Sequence, residues 1–367
     1  MHNLASIIQS ILKELFGSSP SLDLLYTFLG YLVPCLTVVT VIGMIGGILT
    51  LMERKVAGAI QNRLGPNRVG PYGSLQWIAD AIKLHLKEDI IPALADKNLF
   101  RLAPYIVFVG TVLTGLVIPF GGSFIVVDLN VGLIFLIVAV SLVVIGLLMS
   151  GWASNNKWAL LGGIRSAAQI VSYEIPSALA LLTVILITGS FSMQKIVAEQ
   201  GLFPWQWFIF YNPFTFIAFF IFGIASLAEL NRVPFDFPEA ESELVSGYNV
   251  EYSSMRFGFF FAAEFGNIFV TASIATAVFL GGGNIGLDPY ESGIGYQLLM
   301  VLVFFAKAIP LCFVSLWVRW TLPRLRIDQM MSMCWKYLIP ISFVCLTCTA
   351  LWMLVFNGNG IFWRMSG

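Results

Sequence analysis

Long apolar runs separated by short polar ones dominate the chain. A helix crossing the hydrocarbon core of a bilayer needs about 20 mostly apolar residues. Eight stretches meet that requirement, at roughly 28–52, 102–120, 131–151, 163–188, 211–230, 258–280, 296–318 and 338–357. The first is the cleanest, with no charged residue between Asp23 and Glu53. Strands of a closed membrane barrel are about 10 residues of alternating polarity, and these runs are longer and uniformly apolar. The pattern predicts an all-α integral membrane protein, a single membrane domain over 1–367 with about eight transmembrane helices. Residues 1–25 include Lys13, Glu14 and Asp23 and lack a compact apolar core with a cleavage site. They read as an amphipathic lead-in to the first span rather than a signal peptide.

Three polar segments are informative, at 53–101, 231–257 and 319–337. The first is too long for a simple connector. It opens with Gly65-Pro66-Asn67-Arg68-Val69-Gly70-Pro71 and continues into a predicted amphipathic helix from Ser74 to Lys87. Helical spacing puts Leu75, Ile78, Ala79, Ile82 and Leu86 on one face, with Asp80, Lys83 and Lys87 elsewhere. Such a helix is expected to lie in the membrane interface.

Composition agrees with the spans. The chain is 58% hydrophobic and 11% charged, where a soluble domain carries about 25% charge. Formal net charge is zero, so no basic balance points to nucleic acid. The distribution of Lys and Arg is uneven. Connections one, three, five and seven hold Arg54, Lys55, Arg63, Arg68, Lys83, Lys87, Lys97, Arg101, Lys157, Arg165, Arg232, Arg256, Arg319, Arg324, Arg326 and Lys336. The other side holds Lys13, Lys195 and Arg364, and Lys307 lies within a span. Positive charge stays inside. The odd-numbered loops are therefore expected in the cytoplasm or matrix, both termini on the opposite side, and a bacterial chain in the inner (plasma) membrane.

Several chemistries are not signalled. Cys35, Cys312, Cys334, Cys345 and Cys348 are scattered and mostly within apolar runs, unlike a disulfide scaffold. Cys345 and Cys348 have redox-motif spacing, but in a terminal apolar span they read as packing residues. His2 and His85 are far apart, so no His-based metal or haem site is expected. There is no phosphate-binding loop and no dinucleotide fingerprint. Gly281-Gly282-Gly283 reads as a turn after a span.

The strongest constellation is Pro234–Ser253, which carries Asp236, Glu239, Glu241, Glu243 and Glu251, with Arg232 and Arg256 only at its edges. Crowded carboxylates repel, and some are then suited to taking up and passing protons. A solvated acidic loop facing a basic partner is an equal alternative. Within or at the ends of spans lie Glu174, Glu229, Glu264 and Lys307. An ionised group in hydrocarbon costs at least about 2.5–3.5 kcal/mol, so such residues usually face a bundle interior or a water cavity. For Glu174 and Lys307 a structural ion pair is the competing reading; for Glu229, an interfacial position. At the exit of the first span stand Glu53, Arg54 and Lys55, followed by Gln61 and Arg63. They read either as the rim of a site opening into the membrane or as positive-inside anchors.

Glu53–Asp89, Ala228–Asn267 and Arg319–Pro340 together resemble the H-type membrane subunit of respiratory complex I, the bacterial counterpart of mitochondrial subunit 1. The likeness runs over nearly the whole chain. Phe265 departs from it, where the family pattern has Tyr, with no expected loss of function. The resemblance implies an eight-helix subunit of a proton-translocating NADH–quinone oxidoreductase, docked on a peripheral arm and beside small membrane subunits. It implies a quinone chamber shared with partners that hold the quinone-head ligands and the iron–sulfur cluster, with no redox centre or metal of this chain's own. It makes Glu53, Arg54, Gln61 and Arg63 the rim of the quinone passage. Trp77 of the amphipathic helix and Phe257 at the head of the sixth span complete the expected lining. Glu174, Glu229, Asp236, Glu239, Glu241, Glu243, Glu251 and Glu264 become a proton-coupling relay. Competing readings are a related subunit of a membrane-bound hydrogenase-type complex, a free-standing cation or proton antiporter, and a passive anchor. The antiporter class often shows paired repeats with broken helices, which this sequence does not display. A passive anchor gains nothing from buried acids.

Overall fold

The structure is a computed structural model that describes residues 4–16, 23–122, 124–238, 241–286, 294–356 and 360–361. The described helices are α1 (Leu4–Phe16), α2 (Asp23–Ile60), α3 (Gln76–Leu86), α4 (Lys97–Gly115), α5 (Gly132–Ala153), α6 (Lys157–Thr188), α7 (Met193–Ala198), α8 (Pro213–Glu229), α9 (Glu241–Leu244), α10 (Ser254–Phe279), α11 (Ile294–Thr321), α12 (Ile327–Met333) and α13 (Ile339–Val355). Among the described residues there are no strands.

Seven helical runs are long and apolar enough to cross a membrane: α2, α4, α5, α6, α10, α11, and α12 continuing through a π-helical turn at Cys334–Leu338 into α13. The eighth, α8, has 17 residues, the short end of what a bilayer accepts. Each predicted span is thus a helix. The largest departure is α2, which runs past its apolar stretch through Glu53, Arg54 and Lys55 to Ile60. It stops where Asn62 adopts a left-handed φ of 55° and Arg63 N–H returns to the Gly58 carbonyl. That is a common helix-terminating conformation.

α6 and α10 are the most buried spans, while α2, α11 and α13 turn most of their surface outward. Close approach needs small residues. A Cβ on Gly151 of α5 would stand 2.7 Å from the Ala159 carbonyl of α6. Proline opens a second kind of contact. Pro176 lacks the N–H that would bond the Ser172 carbonyl four residues earlier. The Cys334 thiol donates to that carbonyl instead, at 3.1 Å. The adjacent Tyr173 hydroxyl donates to the Met330 carbonyl at 2.9 Å, so α6 is pinned to the π-helical turn. Cys345 and Cys348 are free thiols.

All four odd-numbered loops meet on one face. Arg256 pairs with Asp89, Arg165 with Glu243, and Arg324 with Asp236. On the opposite face, α1 joins the second loop through Leu4 N–H and the Ile125 carbonyl. There, among the described residues, Lys307 has no acid partner. Its Nζ donates at 2.8 Å to both the Leu280 and Gly282 carbonyls, 4.5 Å from the centre of the Trp207 ring. Those carbonyls lie just beyond α10, where the helix dipole is negative. The triple glycine is a turn, with positive φ at Gly281 and Gly282.

Glu199, which follows α7, shows how burial acts outside the spans. Burial raises its carboxyl from 4.5 to about 6, against the opposing pull of Lys195. The folded chain therefore holds this proton more tightly than the unfolded chain, and stability falls as pH rises through that interval. Glu199→Gln is expected to raise the thermal midpoint of the purified complex at neutral pH, the gain shrinking toward the acid end. Melting curves of both proteins across pH check this.

Candidate functional site

The predicted amphipathic helix forms as α3, but with its apolar residues turned outward. Leu75, Ile78, Ile82 and Leu86 are exposed. The protein side is made by Trp77, Asp80, Ala81 and Leu84, and between that side, α2 and α10 lies a cleft of about 280 Å³. Glycines make the room. A Cβ on Gly47 would come within 2.7 Å of the Trp77 ring, whereas one on Gly43 would meet nothing within 4 Å. α10 contributes Met255, Phe257, Gly258, Phe261 and Ala262. The lining is mainly apolar, with Arg54, Asp80 and Lys83 as its charged members. Arg54 and Asp80 pair at 2.6 Å. Met44 and Ile48, next in the chain to the lining residues Gly43 and Gly47, are exposed.

One residue before Arg54, Glu53 belongs to a different environment. It is 8% exposed and accepts from Arg232 at 3.2 Å and from Arg319. Arg232 is 3% exposed. Its Nε lies 2.7 Å from Glu264 of α10, and its guanidinium sits 4.3 Å over the Phe265 ring. Two carboxylates and two guanidinium groups from α2, the fifth loop, α10 and α11 thus form one largely buried network. A buried charge survives when paired and hydrogen-bonded, and here each acid has an Arg. Phe265, the one departure from the expected pattern, supplies an aromatic face for the cation.

Deeper in the bundle, Glu174 accepts from the Ser141 hydroxyl at 2.7 Å, and Ser177 bonds Glu229. Both acids line a cavity of about 20 Å³ between α5, α6, α8 and α10, enough for one water molecule.

A profile of the NADH dehydrogenase family matches residues 33–350. The chain belongs to that family. The H subunit of the NADH-quinone oxidoreductase of Anaeromyxobacter dehalogenans is 51% identical over 325 residues, 85% of this chain and 79% of that one. The protein of the same description from Chlorobaculum parvum is 49% identical over 313 residues, 82% of this chain and 86% of its own. That of Bacteroides thetaiotaomicron is 47% identical over 302 residues, 81% and 83% of the two chains. This chain is therefore a multi-pass membrane subunit of an NADH–quinone oxidoreductase complex, complex I, and works with other subunits of that enzyme.

Every described site residue lies inside the stretch matched to the family. Of the expected passage residues, Arg54, Trp77 and Phe257 line the cleft, whereas Glu53 turns into the Arg network. Gln61 and Arg63 bond each other at 2.6 Å in the exposed turn beyond α2. The acidic loop does not gather its carboxylates. Asp236 meets Arg324 at 3.4 Å, Glu243 meets Arg165 at 2.7 Å, and Glu251 accepts from Asn156 at 2.7 Å. Each is spread toward a partner on another odd loop. Glu241 begins α9, and Glu239 lies outside the described residues. Arg232 and Arg319 are the members that sequence reasoning missed as site residues. Arg232 had one signal, a lone cation ahead of an acidic run, but its partners are 179 and 32 positions away in sequence.

Proposed function

We propose that this subunit conducts quinone from the bilayer to the reaction chamber of the complex and passes the charge change of its reduction into the membrane. The observation that carries the reading is the juxtaposition at Glu53 and Arg54. Consecutive residues of α2 stand in two environments, one lining an apolar cleft that opens between exposed apolar side chains, the other in a buried ionic network. The cleft has the character of a ligand site, mostly apolar with a few placed polar groups. A prenylated ring fits that chemistry, with the tail among Gly43, Trp77 and Phe261 and the polar ring toward Arg54 and Asp80.

Uptake of two electrons by a quinone next to this network creates a demand for protons. Glu53 and Glu264 share Arg232, so altering the charge of one changes how the guanidinium divides itself between them. Glu264 faces this network from α10, and Thr271 and Ile274 on the same helix line the cavity of Glu174 and Glu229. α10 is thus the element that links redox-side charge to the inner acids. Asp236, Glu243 and Glu251, each held by a cation or amide of another odd loop, add a set of breakable contacts on the same face, and we assign Glu239 and Glu241 of the same acidic run to that set by sequence. We assign that face to the cytoplasmic side, where the basic residues concentrate. Proton translocation by the whole complex then follows from partner subunits that continue the path.

A photoactivatable quinone analogue added to the complex in proteoliposomes tests the reading. Labelling of Trp77, Met255 or Phe257, suppressed by excess quinone, is the expected result. Labelling confined to partner subunits would remove the cleft from the path.

A further inference from the structure

The end of α3 and the head of α10 are tied by one clasp. Arg256 Nη2 lies 2.9 Å from Asp89 Oδ2. Ile90 N–H donates to Ser253 Oγ at 3.1 Å, Ser253 Oγ donates to the Glu88 carbonyl at 3.3 Å, and Ser254 Oγ donates to the Leu84 carbonyl at 3.0 Å. Arg256 is the anchored partner. Its side chain is 13% exposed against 40% for Asp89. Its guanidinium stands 5.7 Å over the Phe100 ring, which stacks on Tyr252 with centroids 4.0 Å apart.

The clasp borders the cleft directly. Met255, Phe257 and Gly258, on either side of Arg256, are lining residues, and so are Lys83 and Leu84 near the end of α3. α3 has no buried residue of its own. It is a wall held by Trp77 against Gly47 at the start, by the Arg54–Asp80 pair in the middle and by this clasp at the finish. Leu84 and Gly258 mark where the two helices touch, since a Cβ on Gly258 would stand 3.2 Å from Leu84 Cδ1. Movement of the far end of α3 changes the distance between Lys83 and Leu84 on one wall of the cleft and Met255, Phe257 and Gly258 on the other.

We propose that Arg256 is a positioning residue for the substrate: by holding Asp89 it fixes the far end of α3 against α10 and so sets the width of the cleft in which the quinone tail lies. The inference rests on the cleft being the quinone path. Arg256 does not touch the reacting ring in this scheme. Its loss acts on tail binding and not on the chemical step.

The test compares the assembled complex with its Arg256→Ala and Arg256→Lys variants. Two readouts are taken per assembled complex: hydrogen exchange of amides 84–90, and KM and kcat for a long-tailed and a short-tailed quinone. Arg256→Ala is expected to speed exchange over 84–90 and to raise KM for the long tail by roughly threefold, with kcat changed less than about twofold, the scale of one partly exposed ion pair. KM for the short tail stays, and the lysine variant, which keeps a cation over the Phe100 ring and beside Asp89, recovers both readouts. Unchanged exchange in Arg256→Ala overturns the clasp itself. Faster exchange with unchanged KM for both tails overturns the cleft as the quinone path, and the inference with it. A fall in kcat alone assigns Arg256 a merely structural role and overturns the proposal.

Discussion

Arg232→Met is expected to leave the complex poorly assembled and almost without quinone reductase activity. The guanidinium is buried and serves Glu53, Glu264 and the Phe265 face together. Removing it takes away the cation 2.7 Å from the largely buried Glu264 and one of the two guanidinium groups bonded to Glu53. Breaking a buried pair from one side costs about 3–5 kcal/mol, because the remaining charge has lost its compensation. Replacing the pair with apolar groups is often neutral. Arg232→Met combined with Glu264→Leu should therefore recover assembly on native gels, while activity stays low. Recovery of both by the double variant would reduce the network to a structural element. Full activity in the single variant would remove it from the mechanism.

Gly43→Phe should do the reverse, preserving the fold and blocking the path. A Cβ at Gly43 meets no atom within 4 Å, and Gly43 lines the cleft of about 280 Å³. Glycine is a poor helix former, about 0.8–1 kcal/mol below alanine in a helix interior, so the replacement does not weaken α2. The expected outcome is normal assembly and normal electron input to soluble artificial acceptors. kcat/KM for membrane quinone should fall by at least about tenfold, equivalent to about 1.4 kcal/mol of transition-state stabilisation. Unchanged quinone kinetics would show that the substrate travels elsewhere.

The spans were legible because a bilayer imposes length and apolarity on each helix separately, so every run announces itself locally. Even α8, at 17 residues, stood out. The site was legible in part. Glu53, Glu174, Glu229 and Glu264 drew notice because charge is costly in or near hydrocarbon. Their partners did not. Ser141 sits 33 residues from Glu174, and Arg319 sits 266 from Glu53. Neither a lone serine in an apolar run nor an arginine at a helix end distinguishes itself from packing or anchoring. The acidic loop was read from its crowding in sequence, yet folding separates Asp236, Glu243 and Glu251 onto different cations and amides. Helical spacing placed Ile78, Ile82 and Leu86 on one face, and the interfacial reading turned that face outward as observed, but neither named Asp80, Ala81 and Leu84 as the side that walls the cleft.

The outward turn of that face has a physiological consequence. Ile78, Ile82 and Leu86 immerse one side of α3 in a single leaflet, while its other side walls the cleft. Acyl-chain crowding in that leaflet pushes directly on the wall. On the proposed path, the tightness of the cleft is expected to follow lipid composition and membrane tension, which quinone KM measured in liposomes of thin and thick bilayers would check.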